Sequence, residues 1–298
     1  MPDWVLATLA AALCQNLRSA FQKQLKRRLS TWGATATRFV YAAPLAVGLL
    51  LMLVWGRGTP LPDVPPHFFV YAGIGAVAQM IATGLLVHLF SRANFATATA
   101  FTKTEPIQAA LIGALLLGDT LTLPVMLAII TGIFGVILMS LPKTPGHPGW
   151  RLDGAVWTGL LSGACFAVSS VSLRGASLSL EGADLLLGTA TTLAFVTLLQ
   201  SALLLGWLAW REPGQIRKLF AAWRQAGWVG VIGFAGSMAW IAAFTLQDAA
   251  SVKAVGQIEI VFTLIASRLV FRERLRAAEL VGITLLASGV VGIVLLNR

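Results

Sequence analysis

The chain has 298 residues, 57% of them hydrophobic and 11% charged, with a mean hydropathy of +0.81. A soluble domain carries about 25% charged residues, so composition excludes a soluble enzyme or binding module and leaves an all-α integral membrane protein. The net charge of +10 would suggest a nucleic-acid partner in a soluble chain. Here Lys and Arg cluster between apolar runs and read as topology signals, so the expected partner is the lipid bilayer and no nucleic acid.

A spanning helix needs about 20 mostly apolar residues. Ten runs fit, over 4–22, 32–55, 67–89, 94–117, 123–141, 154–173, 184–210, 226–246, 249–270 and 277–296. The breaks include "GRGTPLPDVPP" (56–66), "GDTLT" (118–122), "PKTPGHPGW" (142–150) and "REPGQIRK" (211–218). Runs of this length are helices, because every backbone group in lipid needs an internal partner. The opening "MPDW" lacks a basic region, so no cleavable leader is expected.

The chain repeats itself. Shifting 93–140 by 154 positions aligns Ala96 with Ala250, Glu105 with Glu259, Asp119 with Glu273 and Gly135 with Gly289. Near the start the offset is 151, pairing Cys14 with Cys165 and Lys23 with Arg174. The expected organisation is a first five-helix unit over 1–141, a linker over 142–153 and a second unit over 154–298. An odd number of helices per unit inverts the second against the first, as in many secondary transporters.

Charge bias fits this register. Fifteen Lys and Arg fall on one side, among them Lys23, Lys26, Arg27 and Arg28 after span one and Arg211, Arg217, Lys218 and Arg224 between spans seven and eight. The other side holds Arg57, Arg174 and Arg298. By the positive-inside rule both termini are expected in the periplasm, with the chain in the bacterial inner (plasma) membrane as a monomer or homodimer.

At this point the sequence resembles the drug/metabolite transporter superfamily in its EamA-type, ten-helix form. The first half reads "TEPIQAALIGALLLGDTL" then "TGIFGVILMS", and the second "IEIVFTLIASRLVFRERL" then "LASGVVGIVLL". Arg38 in "TATRFVYAAP" matches the family's early arginine of the second helix. Departures are Asp119 where the family has Glu, Ile260 where it often has Pro, and no second-half counterpart of Arg38. The resemblance implies export or exchange of small metabolites, amino acids or drugs.

Polar residues inside the spans are the candidates for function. For substrate binding they are Asn16, Arg38, Tyr41, Gln79, Lys103, Gln108, Trp240 and Gln257. Glu105 and Glu259 are the candidate proton-coupling acids, with protons the candidate coupling ion. Each acid also has a structural reading, as one half of a fixed ion pair with Arg38, Lys103 or Arg18. Lys103 and Glu105 are two residues apart, about 200° around a helix, so they face different ways. Pro106 reads as a mid-membrane hinge beside Glu105, or as a tolerated kink. Lys253 reads as a snorkelling end residue, Trp240 as packing or substrate wall, and His88 as a helix-end residue. Asp119 and Glu273 read as caps of the helices that follow.

Other chemistries find little support. GxxxxGK[ST], GxSxG and HExxH are all absent from the sequence. The three histidines are scattered, and Cys14 and Cys165 sit within apolar segments. No metal, cofactor or disulfide is expected. An intramembrane enzyme or a non-transporting membrane protein is the distant alternative.

Four cations, Arg18, Arg38, Lys103 and Lys253, face two acids in the spans. A buried cation needs a partner, so a carboxylate-bearing substrate such as an amino acid or small organic acid is favoured. A multidrug or quaternary-cation exporter is the alternative. The topology has a direct check: alkaline phosphatase fused after Arg298 should be active, and a fluorescent green-protein reporter at that position, active only in the cytoplasm, should be dark.

Overall fold

A computed structural model of the chain describes residues 2–58, 60–90, 102, 105–120, 122–139, 154–259, 261–262 and 277–296. Among these the protein is all helix, with no strand. The helices are α1 (Asp3–Leu25), α2 (Thr31–Val40), α3 (Ala43–Arg57), α4 (Pro66–Leu89), α5 (Glu105–Leu117), α6 (Leu123–Met139), α7 (Gly154–Leu178), α8 (Leu185–Arg211), α9 (Pro213–Ala221), α10 (Trp223–Leu246), α11 (Ala249–Gly256) and α12 (Ala277–Leu296). Five stretches among the described residues are long and apolar enough to cross a bilayer: Thr31–Gly56, Pro66–Leu89, Trp157–Leu178, Leu185–Arg211 and Trp223–Leu246. Glu105–Leu117 and Leu123–Gly135 are shorter apolar helices.

Three departures from the sequence reading have local causes. The run 32–55 is two helices, α2 and α3, joined at Tyr41 and Ala42. Pro44 lies in the first turn of α3 and clashes with a helical carbonyl four residues back, at Val40, where α2 stops. The stretch "REPGQIRK" begins α9, because Pro213 at a first helical position needs no N–H partner. Leu219 of α9 is buried with Phe39, Leu204 and Leu208, while Arg217 and Lys218 stay exposed. Asp119 sits in the turn after α5, but its carboxylate faces Arg174 of α7 at 3.7 Å, not the start of α6. Burial raises the Asp119 pKa, and Arg174 opposes that shift. Glu273 lies outside the described residues.

The outside is apolar and the inside holds the charge, the reverse of a soluble protein. Leu115 is 84% exposed and Trp55 78%. Arg18, Arg38, Glu105, Lys253 and Glu259 are all buried. Lipid is as apolar as leucine, so close helix packing must come from small residues. On α10, Gly230, Gly233 and Gly236 recur every three residues. A Cβ at Gly230 would lie 2.2 Å from that of Tyr41, and one at Gly236 2.9 Å from that of Cys14. This stripe lets α1 and the end of α2 lie directly on α10. Gly75 and Gly175 do the same between α4 and α7, against Leu173 and Tyr71.

The pairing is reciprocal. Helix α1 of the first half packs on α10 of the second, and α7 of the second packs on α4 of the first. Helix α5 meets α11, and α6 meets α12. The last pair touches the remainder chiefly through α5 and α11, so it stands to one side of the central helices. Its contact is close: a Cβ at Gly289 would lie 2.7 Å from the Ala128 carbonyl oxygen and 2.9 Å from the Gly132 nitrogen. Backbone atoms cannot yield as side chains do. Gly289→Ala should lower stability by about 1–3 kcal/mol, read as the thermal unfolding midpoint in detergent. Gly292→Ala, whose Cβ meets only the Ala128 side chain at 3.3 Å, should cost clearly less.

Candidate functional site

Six helices converge on one interior chamber. Gln15 of α1, Arg38 of α2, Gln79 of α4, Phe166, Ser169 and Ser170 of α7, Trp240 and Phe244 of α10, and Lys253 of α11 line it. Both halves contribute three helices. The space between these side chains has room for about one water molecule.

Arg38 forms one pole. It is 2% exposed. Its Nη1 donates to Thr83 Oγ1 at 3.0 Å and its Nη2 to Ser237 Oγ at 3.4 Å. Thr83 gives its own proton to the Gln79 carbonyl at 2.8 Å, which leaves its oxygen free to accept. The guanidinium carbon stands 5.0 Å from the Phe39 ring centre. Gly233 of α10 faces both side chains, and a Cβ there would meet Arg38 and Arg18 at ordinary contact distance. Among the described residues, Arg18 is a charge of like sign that acts on Arg38. Both acceptors of Arg38 are therefore neutral hydroxyls.

Lys253 and Glu105 form the other pole. The ammonium lies 2.9 Å from Glu105 Oε1. It also stands over three rings, 4.1 Å from the centre of Trp240, 5.5 Å from Phe244 and 5.7 Å from Phe166. Trp240 and Phe244 stack with centres 5.6 Å apart at 18°. A desolvated cation–ring contact contributes about 2 kcal/mol. Lys253 is thus a paired interior residue, not one reaching for the membrane surface. Glu105 is joined to Lys253 rather than to Arg38 or Arg18.

Glu259 completes the set. Gln15 Nε2 donates to its Oε2 at 3.0 Å, and Arg18 is its electrostatic partner. Among the described residues the interior charges are therefore three cations against two carboxylates. Three polar groups that line the chamber also lack a hydrogen-bond partner among the described residues: Arg38 Nε, Ser169 Oγ and Trp240 Nε1. Buried polar atoms are nearly always satisfied, so such a cluster marks a place where a polar ligand fits.

The sequence candidates divide. Arg38, Gln79 and Trp240 line the chamber, and Glu105 lies just behind it through Lys253. Tyr41 does not line it; its hydroxyl donates to the Leu219 carbonyl of α9 at 3.2 Å. Gln108 faces α7 beside Gly163. Asn16 is half-buried on α1, and Gln257 is buried in the turn that ends α11. His88 sits in the last turn of α4. Pro106 is the second residue of α5, and Lys103 lies outside the described residues. Sequence reasoning passed over Phe166, Ser169, Phe244, Thr83 and Ser237, which are ordinary residues for a span. It also passed over Gln200, whose amide fixes Gln79 by a bond of 3.1 Å. A lone amide in the apolar run "TLLQSALLL" carried that signal.

No group of His, Cys, Asp and Glu among the described residues is arranged to hold a metal ion. Trp240 depends on a bare backbone at Gly256, where a Cβ would lie 2.5 Å from the ring. Gly256→Ala should therefore push the ring off Lys253, visible as a change in tryptophan emission, while the protein still folds.

Comparison with known proteins agrees with this architecture. The sequence profile of the EamA-like transporter family matches residues 3–141 and again 154–295. An uncharacterized transporter of Helicobacter pylori is 27% identical over 176 residues, which are 56% of this chain and 53% of that one, so the match spans about half of the relative's length. A solved crystal structure, described only as that of a protein, superposes with a TM-score of 0.70 at 18% identity, covering 99% of this chain and 97% of the other. At that identity the likeness speaks for the fold alone. The two matched halves, the apolar helices and the charged interior lead to one conclusion: the chain is a multi-pass membrane protein that belongs to the EamA-like transporter family.

Proposed function

We propose that the protein is a secondary transporter, an exporter or exchanger, of small metabolites that carry a carboxylate, and that Arg38 holds that carboxylate. The observation that carries this reading is the uneven interior charge. Lys253 has Glu105 and Arg18 has Glu259, while Arg38 has two hydroxyls, an unpartnered Nε and a like charge nearby. A guanidinium suits a carboxylate through two parallel hydrogen bonds. An unbalanced buried charge is costly, and a substrate anion offsets it.

The full arrangement that this reading uses is ten spans in two inverted five-helix units, with both termini in the periplasm of a bacterial inner membrane. The reciprocal helix pairing and the two family matches support it. Glu259 and Glu105 serve as coupling acids, each held by a neighbour that can release it: Gln15 and Arg18 for the first, Lys253 for the second. The rings around Lys253 favour a second reading, export of lipophilic cations. Against it, a cation alone would leave Arg38 with neutral hydroxyls and no anion.

Flux into proteoliposomes separates the two. Arg38→Gln should cut transport of competing carboxylates by at least about tenfold, equivalent to the loss of one charged hydrogen-bond pair. Quaternary ammonium competition that survives this change undiminished would favour the second reading. For coupling, Glu259→Gln should leave the protein folded and flatten the pH dependence of flux. An unchanged pH profile in both Glu259→Gln and Glu105→Gln would remove these acids from the mechanism.

A further inference from the structure

A lysine ammonium against a carboxylate and the faces of three aromatic rings has the composition of a site for a free ammonium ligand. Here the ligand is part of the chain. Lys253 projects from α11 into a cage built by two other helices, Phe166 on α7 and Trp240 and Phe244 on α10, with Glu105 of α5 behind. A permanent plug would be better served by a rigid residue. A lysine is a point charge on a flexible four-carbon stem that swings at low cost. The chamber has room for about one water molecule, and movement of a lining side chain would enlarge it.

We propose that this cage is an ammonium subsite, that Lys253 fills it between transport events, and that the amino group of a zwitterionic substrate displaces the lysine as its carboxylate docks on Arg38. The inference rests on the carboxylate reading of Arg38 and adds the second pole. The two poles are close. Ser237, which holds Arg38, and Trp240, which covers Lys253, are three residues apart on one face of α10, about 4.5 Å along the axis. The exchange leaves the excess of one cation unchanged, because a zwitterion adds one charge of each sign. In that exchange Glu105 trades one ammonium for another. The displaced Lys253 joins Arg38 on the substrate carboxylate. A plain organic acid offers nothing to Glu105 and must enter with Lys253 still in place. A plain amine leaves Arg38 unserved.

Calorimetric titration of the purified protein with matched sets tests this: alanine, propionate and ethylamine; leucine, isocaproate and isopentylamine; phenylalanine, hydrocinnamate and phenethylamine. In at least one set the amino acid should bind at least about tenfold more tightly than its des-amino acid. In Lys253→Met, with the tethered competitor gone, the amine of that set should bind about tenfold more tightly than it does to the parent. The double variant Glu105→Gln/Lys253→Met, which removes both buried charges together, should still bind the acid through Arg38 and should lose the preference for the amino acid. Equal binding of acid and amino acid by the parent, or a preference that survives in the double variant, overturns the inference alone. A parent protein that binds neither acids nor amino acids overturns the carboxylate reading, and this inference with it.

Discussion

Five ionisable side chains buried among the described residues of an apolar bundle are the constraint on which the rest of the structure depends. Each would be costly alone in a medium of low dielectric. Lys253 is resolved by a direct ion pair with Glu105, and Arg18 is favoured by the field of Glu259. The fifth, Arg38, is held by hydroxyls. That imbalance gives the chamber its polarity, and the helices are arranged so that it persists. Thr83 is committed as an acceptor by its bond to Gln79, and Gln79 in turn is fixed by Gln200. The neutral groups around Arg38 therefore form a supporting chain rather than a substitute for an anion.

Packing brings these charges together from distant parts of the sequence. The Gly230, Gly233 and Gly236 stripe allows α1 and α2 to lie on α10. Arg18, Arg38 and Ser237 thereby reach one level of the bundle. Gly256 leaves space for the Trp240 ring, which in turn covers Lys253. In lipid there is no hydrophobic drive to press helices together, so the missing Cβ atoms are what make these approaches possible. The reciprocal pairing of the two halves then closes the chamber from both sides, while α6 and α12 hold each other beside it.

The class of protein, the two-fold repetition and the key charges were legible because a charged residue in a long apolar run is conspicuous. Arg38, Glu105, Glu259 and Lys253 all stood out on that ground. Their partnerships did not, since Lys253 and Glu105 belong to different halves and a sequence does not say which faces of two helices meet. The cage of Phe166, Trp240 and Phe244 was hidden for the opposite reason: aromatic residues in a span are ordinary. The contact of Tyr41 was not legible because its hydroxyl donates to α9, a helix that the Pro–Gly start of "REPGQIRK" disguised as a break. The division of the second span was readable in principle from Pro44 and the helical carbonyl it cannot tolerate.

The central claim is that, among the described residues, the buried interior holds one more cation than carboxylate, and that the substrate's carboxylate docks on the cation left over, Arg38. The most direct measurement is equilibrium binding of amino acids against their carboxamide analogues, which keep size and hydrogen-bonding shape but remove the negative charge. The account predicts that each amino acid bound by the protein loses at least about tenfold in affinity as its carboxamide. Carboxamides that bind as tightly as the parent acids would show that Arg38 needs no anion, and would contradict the account.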